Sequence, residues 1–153
     1  MVAWKDGAST AKKRIVVRSL LDTNVLVYAD AADEPLKQQR AIALITGLRG
    51  AGIAVLSTQV LLEYVNVALR KLRLPPELIR QRIGFYRRFE MVAASADLIG
   101  GALDLHVLRG LSFYDALIVQ AAIKSGCERV LSEDMQHGAV FAGVRIENPF
   151  AST

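Results

Sequence analysis

Residues 15–28, IVVRSLLDTNVLVY, restrict the folds open to this chain more than any other stretch. An apolar, largely β-branched run closes on Leu20 and Leu21. An acid, Asp22, follows at once with Thr23 and Asn24, and the apolar pattern resumes at Val25. Hydrophobicity on both faces is what a strand buried inside a parallel sheet requires. Ligands of open α/β sheets bind just beyond the carboxyl ends of the strands, which makes Asp22 a candidate site residue. The Asp-Thr-Asn triplet equally suits a turn that caps a following helix.

The rest of the chain alternates helical and extended patterns. A helical apolar stripe over 36–48 starts after Pro35 and stops at Gly50-Ala51-Gly52, and residues 53–56 read as a second strand. Ser57 or Thr58 caps a helix over 59–72, with Glu63 beside its apolar face and Asn66 three residues on. Pro75-Pro76 interrupts the chain before a helix over 77–89. A short strand over 91–93 and a helix from Ser95 or Asp97 to about residue 108 come next. Ser112 and Asp115 stand in the capping-box relation at the start of a helix over 113–124, which ends towards Gly126. Residues 129–131 form a fourth strand with Ser132-Glu133-Asp134 at its end, and residues 144–146 form a last one. This alternation predicts an α/β fold, a three-layer α/β/α sandwich with a mostly parallel central sheet. One domain over 15–150 is expected, preceded by a flexible arm, 1–14, of small and basic residues.

Composition narrows the function. A chain of 153 residues with 52% hydrophobic and 22% charged residues is a single globular domain. Its net charge of +4 favours an anionic partner. One cysteine, Cys127, excludes a disulfide framework and a multi-cysteine zinc site, and suits a reducing compartment. The longest charge-free run, 50–62, is too short to span a bilayer, so a cytoplasmic protein is expected. Gly50-Ala51-Gly52 precedes a strand instead of following one, and neither a GxxxxGK loop nor a GxSxG elbow occurs. His106 falls mid-helix and His137 in a loop, so no histidine pair offers itself for metal-free acid–base catalysis.

Four acids stand at element ends or beside apolar helix faces: Asp22, Glu63, Asp115 and Asp134. Right-handed crossovers put neighbouring strand ends on one edge of the sheet, where Asp22 and Asp134 can share a pocket. Two carboxylates about 4 Å apart repel by roughly 4 kcal/mol at an effective dielectric near 20. Such a cluster calls for a divalent cation or a proton. Hard oxygen donors point to Mg²⁺ or Mn²⁺, and a carboxylate-held metal beside basic residues suits phosphate-ester cleavage. Arg70, Lys71, Arg73, Arg80, Arg82, Arg87 and Arg88 are candidate nucleic-acid contacts, the last four interleaved with Phe85, Tyr86 and Phe89. The alternative for that helix is a solvated basic face with its aromatics turned to the core or to a dimer partner.

LLDTNVLVY, LLEYVNVALRK, LSFYDALIVQAA, VLSEDMQHG and ENPF, in that order, resemble a PIN domain, and within that family the VapC toxins of VapBC toxin–antitoxin pairs. The resemblance covers about residues 15–150. It implies that Asp22, Glu63, Asp115 and Asp134 bind Mg²⁺ or Mn²⁺, with Asn24 and Ser132 as polar supports. It also selects Asp134, two residues after Ser132, over the adjacent Glu133. A metal-dependent endoribonuclease is therefore expected, acting as a toxin, forming a homodimer and silenced by a VapB-type antitoxin. Such toxins commonly begin at the first strand, so the arm 1–14 departs from the pattern. The alternatives are a PIN-fold nuclease in RNA processing or acting on DNA, and a non-enzymatic Mg²⁺-binding acidic α/β regulatory module. The last wants an acid at the end of a middle strand, where this chain has Ser57-Thr58.

Overall fold

The computed structural model describes residues 17–151. The arm expected over 1–14, with Ile15 and Val16, lies outside the described residues. Six strands and six helices follow in the order β1 (Ser19–Leu21), α1 (Thr23–Ala29), α2 (Pro35–Gly50), β2 (Ala54–Ser57), α3 (Thr58–Arg70) and α4 (Pro76–Tyr86), then β3 (Glu90–Val92), α5 (Ala96–Arg109), α6 (Phe113–Lys124), β4 (Arg129–Leu131), β5 (Val140–Phe141) and β6 (Val144–Glu147).

The sheet runs β3-β2-β1-β4-β6-β5 and is parallel except for the β5–β6 pair. Leu20 at its centre stands opposite Val55 on one side and Val130 on the other. All three are fully buried, as strands covered on both faces must be. From β1 the chain moves outward to β2 and β3, then returns across the sheet to β4. The crossover helices α2, α3 and α4 therefore lie on one face, and α5 and α6 on the other. The strand order reverses between β1 and β4, and a ligand crevice opens at such a switch point.

Local chemistry explains the helix starts. Asp22, Ser57, Ser95 and Ser112 cap α1, α3, α5 and α6, each side chain accepting a bond from a backbone N–H of the first turn. Over residues 17–28 both readings have a share: Ser19–Leu21 is strand, whereas Val25 and Leu26 are the buried face of a short helix. Helix α6 buries residues on several sides, Ala116 to Val119 with Ala121 and Ala122, because it lies between the sheet and α5. Gly101 faces the Gln120 side-chain amide, which a Cβ there would displace.

Two expectations need correction. The helix expected over 77–89 ends at Tyr86, because Phe89 turns into the core and β3 begins at Glu90. Strand β5 was not expected: it is two residues long, and Ala142 and Gly143, both with positive φ, turn it back onto β6.

Candidate active site

The backbone of the switch point places the first acid. The Asp22 N–H donates to the Leu131 carbonyl (3.0 Å) and that of Ser132 to the Glu147 carbonyl (2.9 Å). Asp22 and Ser132 thus continue two neighbouring parallel strands out of the same edge. Asp22 is only 7% exposed. One carboxylate oxygen accepts from the Thr23 N–H (2.7 Å) and the other from the Ser132 hydroxyl (2.7 Å). Ser132 Oγ in turn accepts from the backbone N–H of Asp134 (3.1 Å) and Met135 (3.3 Å), which folds the loop around it.

Asn24 joins the two sides. Its Oδ1 accepts from the Glu133 N–H (3.1 Å), and its Nδ2 donates to the Asp134 carboxylate (3.1 Å). Glu63, on α3, is held at both oxygens, by the Thr23 hydroxyl (2.8 Å) and by Gln59 Nε2 (2.9 Å). The electrostatics follow from this crowding. Burial pushes the Asp22 carboxyl up to about 6, the Glu63 and Asp134 charges add to the rise, and the bonds from Ser132 and Thr23 oppose it.

The structure therefore gathers Asp22, Asp134 and Glu63 around one network of Thr23, Asn24 and Ser132. Asp115 stands apart. It is half-buried in the first turn of α6, where its N–H donates to the Ser112 hydroxyl (3.2 Å). Its nearest tie to the network is Gln59, which also donates to the Tyr114 carbonyl (3.2 Å). Among the described residues, no three His, Cys, Asp or Glu side chains are close enough together to hold one ion. The donor chemistry nevertheless fits a hard cation: every candidate donor is a carboxylate oxygen, and the most buried one is destabilised by its own charge.

Glu133 is occupied elsewhere. It accepts from Lys37 Nζ (2.8 Å) and from the Tyr28 hydroxyl, an arrangement that pins the loop to α1 and α2. A cleft of about 420 Å³ opens over the network, and Asn66 and Lys71 line it together with Glu63 and Asp134. A second hollow of about 460 Å³ lies between α2 and α4. Among the described residues its only charged wall residue is Arg82.

The basic candidates divide. Arg70, Lys71, Arg73, Arg80, Arg87 and Arg88 are exposed. Arg82 instead grips Asp30 with two nitrogens (3.0 and 2.8 Å), which removes it from the candidate contact surface. Tyr86 and Phe89 are buried and each meets Phe85 edge to face, so these aromatics turn to the core and leave no stacking surface for bases beside the arginines. His106 closes the end of α5 onto the Leu111 carbonyl, and His137 accepts the Asn148 N–H (2.9 Å), so both serve the backbone. Sequence reading missed Thr23, Gln59 and Lys37. Only Gln59 left a usable signal, an amide four residues ahead of Glu63 on one helix face.

The PIN domain family model matches residues 19–140 of the chain. No curated protein matches it by sequence. Among solved structures it is similar to VapC20 of Mycobacterium tuberculosis, described as a sarcin–ricin loop cleaving toxin. The identity is 18% and the TM-score 0.59, over 76% of this chain and 89% of that one. It is also similar to a toxin–antitoxin complex from Klebsiella pneumoniae (21% identity, TM-score 0.55, 86% and 98% covered). A third likeness is to VapBC2 from Rickettsia felis bound to a DNA fragment from its promoter (20%, 0.58, 85% and 97%). At such identities the likeness establishes the fold, and function has to be argued from the site.

Proposed function

This chain belongs to the PIN domain family, and from that premise we propose that it is a Mg²⁺- or Mn²⁺-dependent endoribonuclease acting as the toxin of a VapBC-type toxin–antitoxin pair. The observation that carries this reading is the Asp22–Ser132–Asn24–Asp134 network at the switch point between β1 and β4. Mutually repelling carboxylates are held side by side there, beside a cleft that Lys71 also lines.

Asp22, Asp115 and Asp134 would hold the ion, with Glu63 completing the set. When bound, the metal supplies a water of lowered pKa and offsets charge on the phosphate. Glu63, with both oxygens already fixed, orients the attacking water and takes its proton. Asn24 and Ser132 keep Asp22 and Asp134 from swinging apart. Lys71, with Arg70 and Arg73, holds the RNA backbone, and Arg80 and Arg87 are further candidate contacts; Arg88 lies with Ala54 and Glu90 at the opposite edge of the sheet. Attack by water leaves a 5′-phosphate and a 3′-hydroxyl, with no part for the 2′-hydroxyl. In its cell the protein would be a cytoplasmic homodimer with one nuclease domain over 15–150. A VapB-type antitoxin would cover the cleft and set a basic side chain among the acids. Among the described residues no helix is long and apolar enough to cross a membrane.

The test is incubation of the purified protein with total cellular RNA, and separately with duplex DNA, in Mn²⁺ and in EDTA, alongside Asp22→Asn. Discrete RNA fragments with 5′-phosphate ends, dependent on both the metal and Asp22, are expected. Cleavage of DNA in preference to RNA would favour the DNA-directed alternative. Cleavage that survives EDTA or Asp22→Asn would overturn the acidic-site mechanism.

A further inference from the structure

The structure assigns to Gln59 a positioning role: we infer that its one side-chain amide sets the distance between Glu63 and Asp115, and through it the affinity of the acidic site for a divalent ion. This rests on the functional reading above. Gln59 Nε2 donates one hydrogen to Glu63 Oε1 (2.9 Å) and the other to the Tyr114 carbonyl (3.2 Å), one residue before Asp115. Both partners are pure acceptors, so the NH₂ end must face them and the amide has one possible orientation. It is also the only hydrogen bond between α3 and α6 among the described residues. The Glu63 carboxylate has its other oxygen on Thr23, so Gln59 ties Asp115 to a carboxylate that the network around Asp22 already fixes.

Asn24 does the same for the other pair, clipping the helix that follows Asp22 to the loop that carries Asp134. Each clip is a neutral carboxamide whose NH₂ donates to a carboxylate oxygen without adding a positive charge that would compete with the ion. A lysine in either place would neutralise an acid that the metal needs. Asp115 is the acid farthest from the network in bonding terms, and no side chain donates to its carboxylate among the described residues. Its approach to the ion therefore depends on where the first turn of α6 is held.

The test compares wild type with Gln59→Met, which keeps length and helix propensity but cannot donate, and with Gln59→Glu, which keeps shape and solubility but places an acceptor against acceptors. In metal-free protein, exchange of the Asp115 and Ala116 amides, both bonded to Ser112, should quicken by about tenfold with the core strands unchanged. The Mn²⁺ dissociation constant, measured by calorimetry, should rise by roughly 10- to 100-fold in Gln59→Met, and by less in Gln59→Glu, whose added carboxylate itself attracts the cation. Wild-type Mn²⁺ affinity in Gln59→Met would overturn the inference while leaving the nuclease reading intact. The same holds for exchange that quickens throughout the molecule, which marks a merely structural residue. Absence of Mn²⁺ binding by wild type would overturn the functional reading and this inference with it.

Discussion

Asp22 carries a helix cap and a buried charge on one carboxylate. Its bond from Thr23 begins α1, its bond from Ser132 closes the loop after β4, and its 7% exposure leaves little water to stabilise the ion. The carboxyl titrates near 6 in the folded protein against an ordinary value of 3.8, so the native state holds its proton more tightly than the unfolded chain does. Stability from this group is therefore gained as pH falls through about 6 towards 4, and is lost again as pH rises. The whole effect is at most about 3 kcal/mol. Urea midpoints of metal-free protein between about pH 7 and pH 5 should rise on acidification relative to Asp22→Asn, which lacks the titration. Parallel pH profiles for the two proteins would show that Asp22 is not strained by its charge.

Three helices meet at a second buried acid that has no share in the chemistry. Asp30 closes α1, accepts the Tyr64 hydroxyl of α3, and pairs with Arg82 of α4, its side chain only 5% exposed. Asp30→Ala would leave the buried Tyr64 hydroxyl without its acceptor and Arg82 without its charge partner. With Arg82 38% exposed, water recovers part of that loss, and a cost of about 2 kcal/mol is expected. Denaturant unfolding should show it, and an unchanged midpoint would mean that the pair contributes nothing. This cluster also marks where sequence reading stops. The strand–helix alternation was legible because β1, β2 and β4 carry short apolar runs and four of the helices start at Ser or Asp, the other two at a proline. The acid-rich edge was legible because Asp22 follows β1 directly and Asp134 stands three residues after the end of β4. Arg82 looked like its exposed neighbours because its partner lies far off in the chain, and β5 was too short to leave a period. Gln59 and Thr23 gain their meaning only from what α6 and α1 bring beside them.

Across the whole molecule, the sheet order concentrates charge cost at one place. The reversal between β1 and β4 leaves a crevice, the chain fills its rim with acids, and the surrounding core supplies the stability that tolerates them. A site of this kind is stabilised by its ligand and destabilised without it, and Asp22→Asn separates the two states. The most direct measurement is the thermal midpoint of wild type and Asp22→Asn near neutral pH, each in EDTA and in Mn²⁺ at about 100 times its dissociation constant from the wild type. Ligand at that level adds about 2.7 kcal/mol, and each kcal/mol shifts a domain of this size by about 2–4 °C. In EDTA the variant should melt above wild type, because a buried charge has been removed. In Mn²⁺ wild type should gain about 5–10 °C and overtake a variant that hardly moves. A variant less stable than wild type in EDTA, with both proteins gaining equally from Mn²⁺, would contradict the claim that Asp22 belongs to an ion-binding acidic site.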